Sequence, residues 1–141
     1  MAVDLNNMAA QIQSILAGVP GVLIAYDHEP QNLQQLPAAT VYFDSFTERE
    51  ETMGRLQYEW KWSIRLYVPI SVSDVGPGQI QIRTITTAAL LAFRTKANLS
   101  LNGSCMFSSI SAGDIYNVLS VNNPMMVAEL TLVATTQESL M

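Results

Sequence analysis

The clearest pattern in the chain is a regular alternation of apolar and polar residues from Gln57 to Val68. One set of alternate positions is apolar: Tyr58, Trp60, Trp62, Ile64, Leu66 and Val68. The positions between them are polar except for Tyr67, and a period of two predicts a β-strand with one buried and one solvated face. Such a strand spans about 40 Å, whereas a compact chain of this length has a radius of gyration of about 14 Å. The strand is therefore predicted to curl with its sheet or to project beyond the domain.

Two segments carry apolar residues at the three- and four-residue spacing of an amphipathic helix. The first runs from Asp4 to Leu16, with Asp4 as the predicted N-cap and Gly18 near its end. Its apolar stripe consists of Leu5, Met8, Ala9, Ile12, Ile15 and Leu16. The second helix is predicted from Gln79 to Lys96, after a loop from Ser71 to Gly78 that contains Gly76-Pro77-Gly78.

Other segments predict further strands. Ala38 to Phe46 alternates in the manner of a strand, and Val22 to Tyr26 is either a brief strand or an extended connector. Cys105 to Tyr116 is predicted to be a strand interrupted at Ser111-Ala112-Gly113. Met125 to Thr135 closes the chain as a strand, and the residues from Gln137 to Met141 are expected to fray.

The densest cluster of charges lies between the two long strands, from Thr47 to Arg55, with Gly54 as its only glycine. Two alternating strands around such a segment predict an antiparallel hairpin with a charged tip. The tip is either a solvated turn or the end of an arm that faces a partner or a lumen. The candidate interaction residues are Glu48, Arg49, Glu50, Glu51 and Arg55.

The order of elements predicts an α+β fold. A single antiparallel or mixed sheet with a long β-hairpin would carry two helices packed on one face. Residues 1–141 contain no internal repeat or linker and are predicted to form a single domain.

Composition adds a hint of assembly. The 141 residues are 49% hydrophobic and only 13% charged, against about 25% charged in typical domains. We interpret this deficit of charge as surface that is buried between subunits. The net charge of −5 argues against a docking surface for nucleic-acid phosphates, although DNA could pass through an acidic channel. The absence of a long apolar run and of a signal-peptide pattern predicts a protein made in the cytoplasm.

The residues offer little support for catalysis, and no catalytic, cofactor-binding or metal-binding residue is predicted. His28 is the only histidine and Cys105 the only cysteine, so neither has the partners of a metal site or a thiol nucleophile. Gly76-Pro77-Gly78 lacks the basic partner of an anion site. Trp60 and Trp62 share a face with aliphatic residues, which favours the protein core over a stacking platform.

The chain resembles the tail terminator, or tail completion, proteins of long-tailed bacteriophages over nearly its whole length. The resemblance is carried by the short first helix ending at Gly18-Val19-Pro20-Gly21 and by the strand entry Leu36-Pro37-Ala38-Ala39-Thr40-Val41. It continues through the Tyr58–Val68 strand, the Gln79–Lys96 helix and the segment Leu99-Ser100-Leu101-Asn102-Gly103.

This resemblance implies a structural virion protein of the tail neck, assembled in the host cytoplasm. It implies a hexameric ring that caps the head-proximal end of the tail tube, stops tube polymerisation and contacts the head connector. DNA would pass through the lumen without specific binding. The alternatives are a head-closure or tail-tube subunit, and a small cytoplasmic enzyme or ligand-binding domain. For the Thr47–Arg55 tip, the hypothesis is a contact with a neighbouring subunit, the tube or the lumen.

Overall fold

The computed structural model describes residues 3–33, 35–71, 73–119 and 123–139 and contains two helices and one five-stranded sheet. The helices are α1 (Leu5–Ala17) and α2 (Gly76–Arg94), followed by a 3₁₀ turn at Lys96–Asn98. The strands are β1 (Ile24–Ala25), β2 (Ala38–Thr52), β3 (Arg55–Pro69), β4 (Phe107–Val118) and β5 (Met125–Ser139). The α+β prediction is confirmed.

The sheet has the order β1-β2-β3-β5-β4, so the strand with the strictest alternation, β3, lies at its centre. Its neighbours β2 and β5 both pair with it in antiparallel fashion along almost their full lengths. The short strand β1 pairs in parallel with Ala38 and Ala39 of β2, which makes the sheet mixed. Of the two alternatives for Val22 to Tyr26, a brief strand or an extended connector, the structure therefore shows the brief strand.

Both helices pack on the same face of the sheet, as predicted. The predicted inward residues Trp62, Ile64, Leu66 and Val68 of β3 are buried in a single core with residues of both helices. From the helices this core takes Met8, Ala9, Ile12 and Leu16 of α1 and Ile82, Ile85, Ala89 and Phe93 of α2. Apolar burial of this kind is the main favourable term in folding, and it confirms the predicted amphipathic character of both helices.

The opposite face of β3 is less solvated than predicted. Ser63 and Tyr67 are buried there, and so is Gln57 farther along the strand. Part of the reason is the loop after β1, whose Glu29 accepts hydrogen bonds from the hydroxyl groups of Tyr67 and Thr40.

The two helix starts show why local sequence rules succeed or fail. At α1 the prediction is confirmed, because the Asp4 carboxylate caps the helix by accepting the Asn7 N–H at 3.1 Å. At α2 the predicted end of the loop at Gly78 is wrong, since the helix begins at Gly76 and includes Pro77 and Gly78. A proline is tolerated in a first helical turn, where its missing N–H would have no partner.

The predicted ends of three strands and of the second helix also need correction. The strand predicted from Ala38 to Phe46 continues to Thr52, and the last strand continues past Thr135 to Ser139, whereas Gln137 to Met141 were expected to fray. The positions of Leu140 and Met141 lie outside the described residues. The segment from Cys105 to Tyr116 begins instead at Phe107 and runs to Val118, with its predicted interruption reduced to a bulge. The helix ends at Arg94 rather than Lys96 because Thr95 is extended.

Neither of these helices, within the part of the chain that the structure describes, is long and apolar enough to cross a membrane.

Candidate interaction surface

The sheet continues beyond the helices as an arm, which we define as residues 45–52 of β2, 55–61 of β3 and 133–139 of β5. Along β3 the last buried residue of the helix-covered core is Trp62, which is 3% exposed and whose Nε1–H donates to Sδ of Met8 at 3.2 Å, whereas on β5 the core extends to Ala134, level with Trp60. Two residues farther along β3, Trp60 is only half-buried, and its cross-strand neighbour Phe46 is 57% exposed. Because β5 adds a third strand, the arm is more rigid than an isolated two-stranded hairpin, which is marginally stable in water.

A row of aromatic rings covers the helix-side face of the arm and of its base. Phe43 lies 5.0 Å from Trp62 between ring centroids, and Phe46 lies 5.4 Å from Trp60. Tyr58 stacks on Trp60 with centroids 5.0 Å apart and an interplanar angle of 12°. Contiguous exposed apolar surface of this kind is typical of a protein interaction site.

The predicted charged tip is in fact part of two strands. The turn consists of Met53 and Gly54 alone, and Gly54, the only glycine of the predicted tip, adopts a positive φ of 86°. The structure places the candidate residues Glu48, Arg49, Glu50, Glu51 and Arg55 in β2 and β3. They are therefore held on a sheet and divided between its two faces.

The arm separates its charges by face. Glu48 and Glu50 lie opposite Tyr58 and Leu56, on the helix side, whereas Arg49 lies opposite Gln57 on the other side. The side chain of Glu51 lies outside the described part of the structure. The Tyr58 hydroxyl donates to Glu48 at 2.7 Å, and this hydrogen bond is the main cause that raises the pKa of Tyr58 to about 12. The helix-side face thus combines aromatic rings with carboxylates.

A second surface lies at the far edge of the sheet, as a groove between α2 and β4. It is formed by three adjoining cavities of about 770, 370 and 110 Å³. Its apolar lining includes Ile82, Leu90, Leu99, Ile110, Ile115 and Leu130. Arg83 and Arg94 lie along its helix side, and the hydroxyl of Thr86 is buried without a hydrogen-bond partner among the described residues. A buried polar atom of this kind is rare in native structures.

The polar face of the sheet carries a network that is best explained as structural. Arg65 lies between Glu29 and Glu129, with N–O distances of 3.5 and 3.6 Å. The Tyr67 hydroxyl donates to Glu29, and burial together with this hydrogen bond raises the pKa of Tyr67 well above its ordinary value. These contacts attach the loop after β1 to the centre of the sheet.

The residues considered for chemistry do not come together. His28 interacts with the neighbouring Asp27 at 2.7 Å and with the ring of Tyr26, and the side chains of His28 and Asp27 are at least half exposed. Burial raises the pKa of the Cys105 thiol to about 11, so the thiol is protonated at neutral pH. Among the described residues, no group of three potential metal ligands is found.

Sequence reasoning located the charged residues of the arm but missed the groove and the role of Phe43 and Phe46. The two phenylalanines are three residues apart, and a regular strand would place their side chains on opposite faces. Because of the bulge after Phe43, both rings lie on the helix-side face, which the sequence pattern did not indicate. The groove depends on how α2 meets β4 and has no local sequence signal.

Comparison with models of known protein families gives no match for this chain. A search of curated proteins gives no significant match either.

Proposed function

We propose that the protein is a structural, ring-forming component of a bacteriophage tail neck that acts as a tail terminator. In this role a ring of identical subunits, six in the family that the chain resembles, closes the head-proximal end of the tail tube. The ring stops polymerisation of the tube protein and offers a surface to the head connector.

The observation that carries the proposal is the arm. It continues the central strands past both helices and leaves an aromatic face partly exposed, with Phe46 57% exposed and Met53 at its turn 96% exposed. A chain with little charge has few other means of keeping such a surface soluble. Burial of the arm against other subunits or the tube accounts for both features.

The charge balance also fits this role. A net charge of −5 gives the assembled ring an acidic character, and fixed negative charges repel the phosphates of DNA. DNA would therefore pass through the lumen without binding to it. The role is structural rather than catalytic, in keeping with a protonated Cys105 thiol and an exposed His28.

A second candidate is a peptide- or ligand-binding domain, favoured by the groove beside α2, whose largest cavity is about 770 Å³. Such a protein would be a stable monomer of 15.5 kDa. A head-closure or tail-tube subunit would also form a ring, but would not limit the length of a growing tube.

Electron microscopy and mass measurement of the purified protein distinguish these candidates. We expect rings or concentration-dependent association, and addition of the protein should stop the growth of tail tubes. A monomer at every concentration would contradict the proposal, and a ring without effect on tube length would favour another neck or tube protein.

The arm itself is tested by shortening it without disturbing its register. Glu48 and Tyr58 are cross-strand partners, so residues 49–57 can be replaced by Asn-Gly, which favours a tight hairpin turn. The control is Met53→Asn, which changes the exposed turn but keeps the arm. We expect the shortened protein to fold and to lose tube capping, whereas the control retains it. Normal capping by the shortened protein would show that the arm has no such role.

A further inference from the structure

Both edges of the sheet are open within the described part of the chain. The strand β4 pairs only with β5, and β2 pairs with β1 only at Ala38 and Ala39. Natural edge strands are usually protected by proline, lysine or other charges. β-Bulges also protect edges. The twelve residues of β4 include a single charge, Asp114, no proline, and one bulge after Ile110, so the segment from Phe107 to Ile110 carries none of these protections. This edge is therefore open to pairing with another strand.

The strand directions allow one edge to pair with the other in a second copy. Each of the pairs β2–β3, β3–β5 and β5–β4 is antiparallel, so β2 and β4 run in opposite directions. A second copy generated by rotation about an axis parallel to the strands keeps the same strand directions. Its β2 would therefore lie antiparallel to β4 of the first copy. Since the two edges differ, the contact is head-to-tail and generates a ring when the rotation closes.

The same rotation fixes which residues meet. Phe46 is level with Trp60, Trp60 with Ala134, and Ala134 with Ser108, in one continuous row across the sheet. A rotation about the strand direction does not move residues along the strands, so Phe46 of the second copy comes level with Ser108. The helix-side face of its arm also remains on the helix side.

At this level the groove has an apolar wall and a basic helix end. Ser108 lies beside Leu90, Leu99 and Arg94 in the smallest of the three cavities. From α2 through β4 the charged residues are three cations, Arg83, Arg94 and Lys96, and one carboxylate, Asp114. By contrast, the helix-side face of the arm carries the carboxylates Glu48 and Glu50. The arm and the groove are thus complementary in charge.

We infer that the arm of one copy docks on the β4 edge of the next, with Phe46 in the α2–β4 groove. By the same register Glu48 and Glu50 come level with Thr136 and Glu138 of the next copy, just past the start of β4. We expect them to pair with Arg94, which lies beside Ser108, and with Lys96 two residues after it. This inference rests on the ring proposed above and adds the surface through which its subunits join. It also brings a further strand to the part of the groove where the Thr86 hydroxyl has no partner.

Charge reversal tests this contact. We expect Glu48→Arg/Glu50→Arg and Arg94→Glu/Lys96→Glu each to remain at the 15.5 kDa of one chain, because like charges then face each other. An equimolar mixture should assemble to the mass of the wild-type ring, since the altered arm of the first variant then meets the altered groove of the second, and the native arm of the second meets the native groove of the first. This mutual rescue also shows that both variants are folded.

The matched control is Glu59→Arg, which makes the same kind of charge change on the other face of the arm and should leave assembly unchanged. Assembly of either charge-reversed variant by itself at the wild-type concentration would overturn the docking contact while the ring proposal stands. Failure of the mixture to assemble would also overturn the docking contact. A wild-type protein that never associates would instead contradict the ring.

Discussion

The two tryptophans of β3 give a direct measure of where the helix-covered core ends. Trp60 and Trp62 lie on the same face of the same strand, but Trp62 is 3% exposed beneath α1 and Trp60 is half-buried in the arm. Replacement of each by alanine removes the same atoms from two environments. The difference between the two effects therefore reports coverage by the helices.

The magnitudes follow from burial. A buried tryptophan covers about 150–250 Å², which corresponds to about 4–6 kcal/mol at the usual area coefficient. Mutations of large aromatic core residues to alanine cost about 3–5 kcal/mol, and we expect this loss in the free energy of unfolding for Trp62→Ala. For Trp60→Ala we expect about half as much, roughly 2 kcal/mol, on the same scale. For a chain of this length each kcal/mol lowers Tm by about 3–4 °C.

The assay is urea and thermal unfolding followed by circular dichroism. Both substitutions are made in the Glu48→Arg/Glu50→Arg variant, because association with a partner would add its own stabilisation. Trp60→Phe and Trp62→Phe serve as controls that keep an aromatic ring. Equal losses for the two alanine variants would refute the reasoning, since they would mean that the arm is as well covered as the core.

Two further predictions concern residues outside the arm. Gly78→Ala should lower the free energy of unfolding by about 1–2 kcal/mol in urea denaturation, since overpacking costs more than the gain in helix propensity. The added Cβ would lie 2.3 Å from Cγ2 of Ile70, and a gain in stability would contradict this close approach. Cys105, with its pKa raised from 9.0 to about 11, should react with iodoacetamide about 100-fold more slowly at pH 8 than in the urea-unfolded chain, because only the thiolate reacts. The native rate should rise about tenfold for each pH unit up to about pH 11, and equal native and unfolded rates would contradict the burial.

The elements that the sequence predicted well are those fixed by local chemistry. The apolar face from Trp62 to Val68 depends on periodicity alone. The first helix depends on periodicity and on one hydrogen bond between residues close in sequence, that of its Asp4 cap. The second helix start was missed because its reason is tertiary: Gly78 is needed where the helix crosses Ile70. Helix propensity alone cannot reveal such a contact.

The interaction surface was predicted only in part for similar reasons. Glu48 and Glu50 were identified by their charge, but their position on the strands follows from pairing with β3, which β5 in turn supports. The groove that we propose as their partner surface joins α2 to β4, two elements brought together only by the fold.

The bulges of β2 and β4 have a consequence for the shape of the sheet. The irregularity at Asp44 follows Phe43 and that at Ser111 follows Ile110, and Phe43, Trp62, Leu132 and Ile110 form one row across the sheet. Bulges bend a strand and increase its twist, so β2 and β4 are both expected to bend at that row, where the helix-covered part meets the arm, and we call this row the crease of the sheet. In a closed ring the creases of successive copies would join into a single circumferential line. The angle at that line would set how far the wall flares, and therefore the diameter of the opening, independently of the contacts that hold the subunits together.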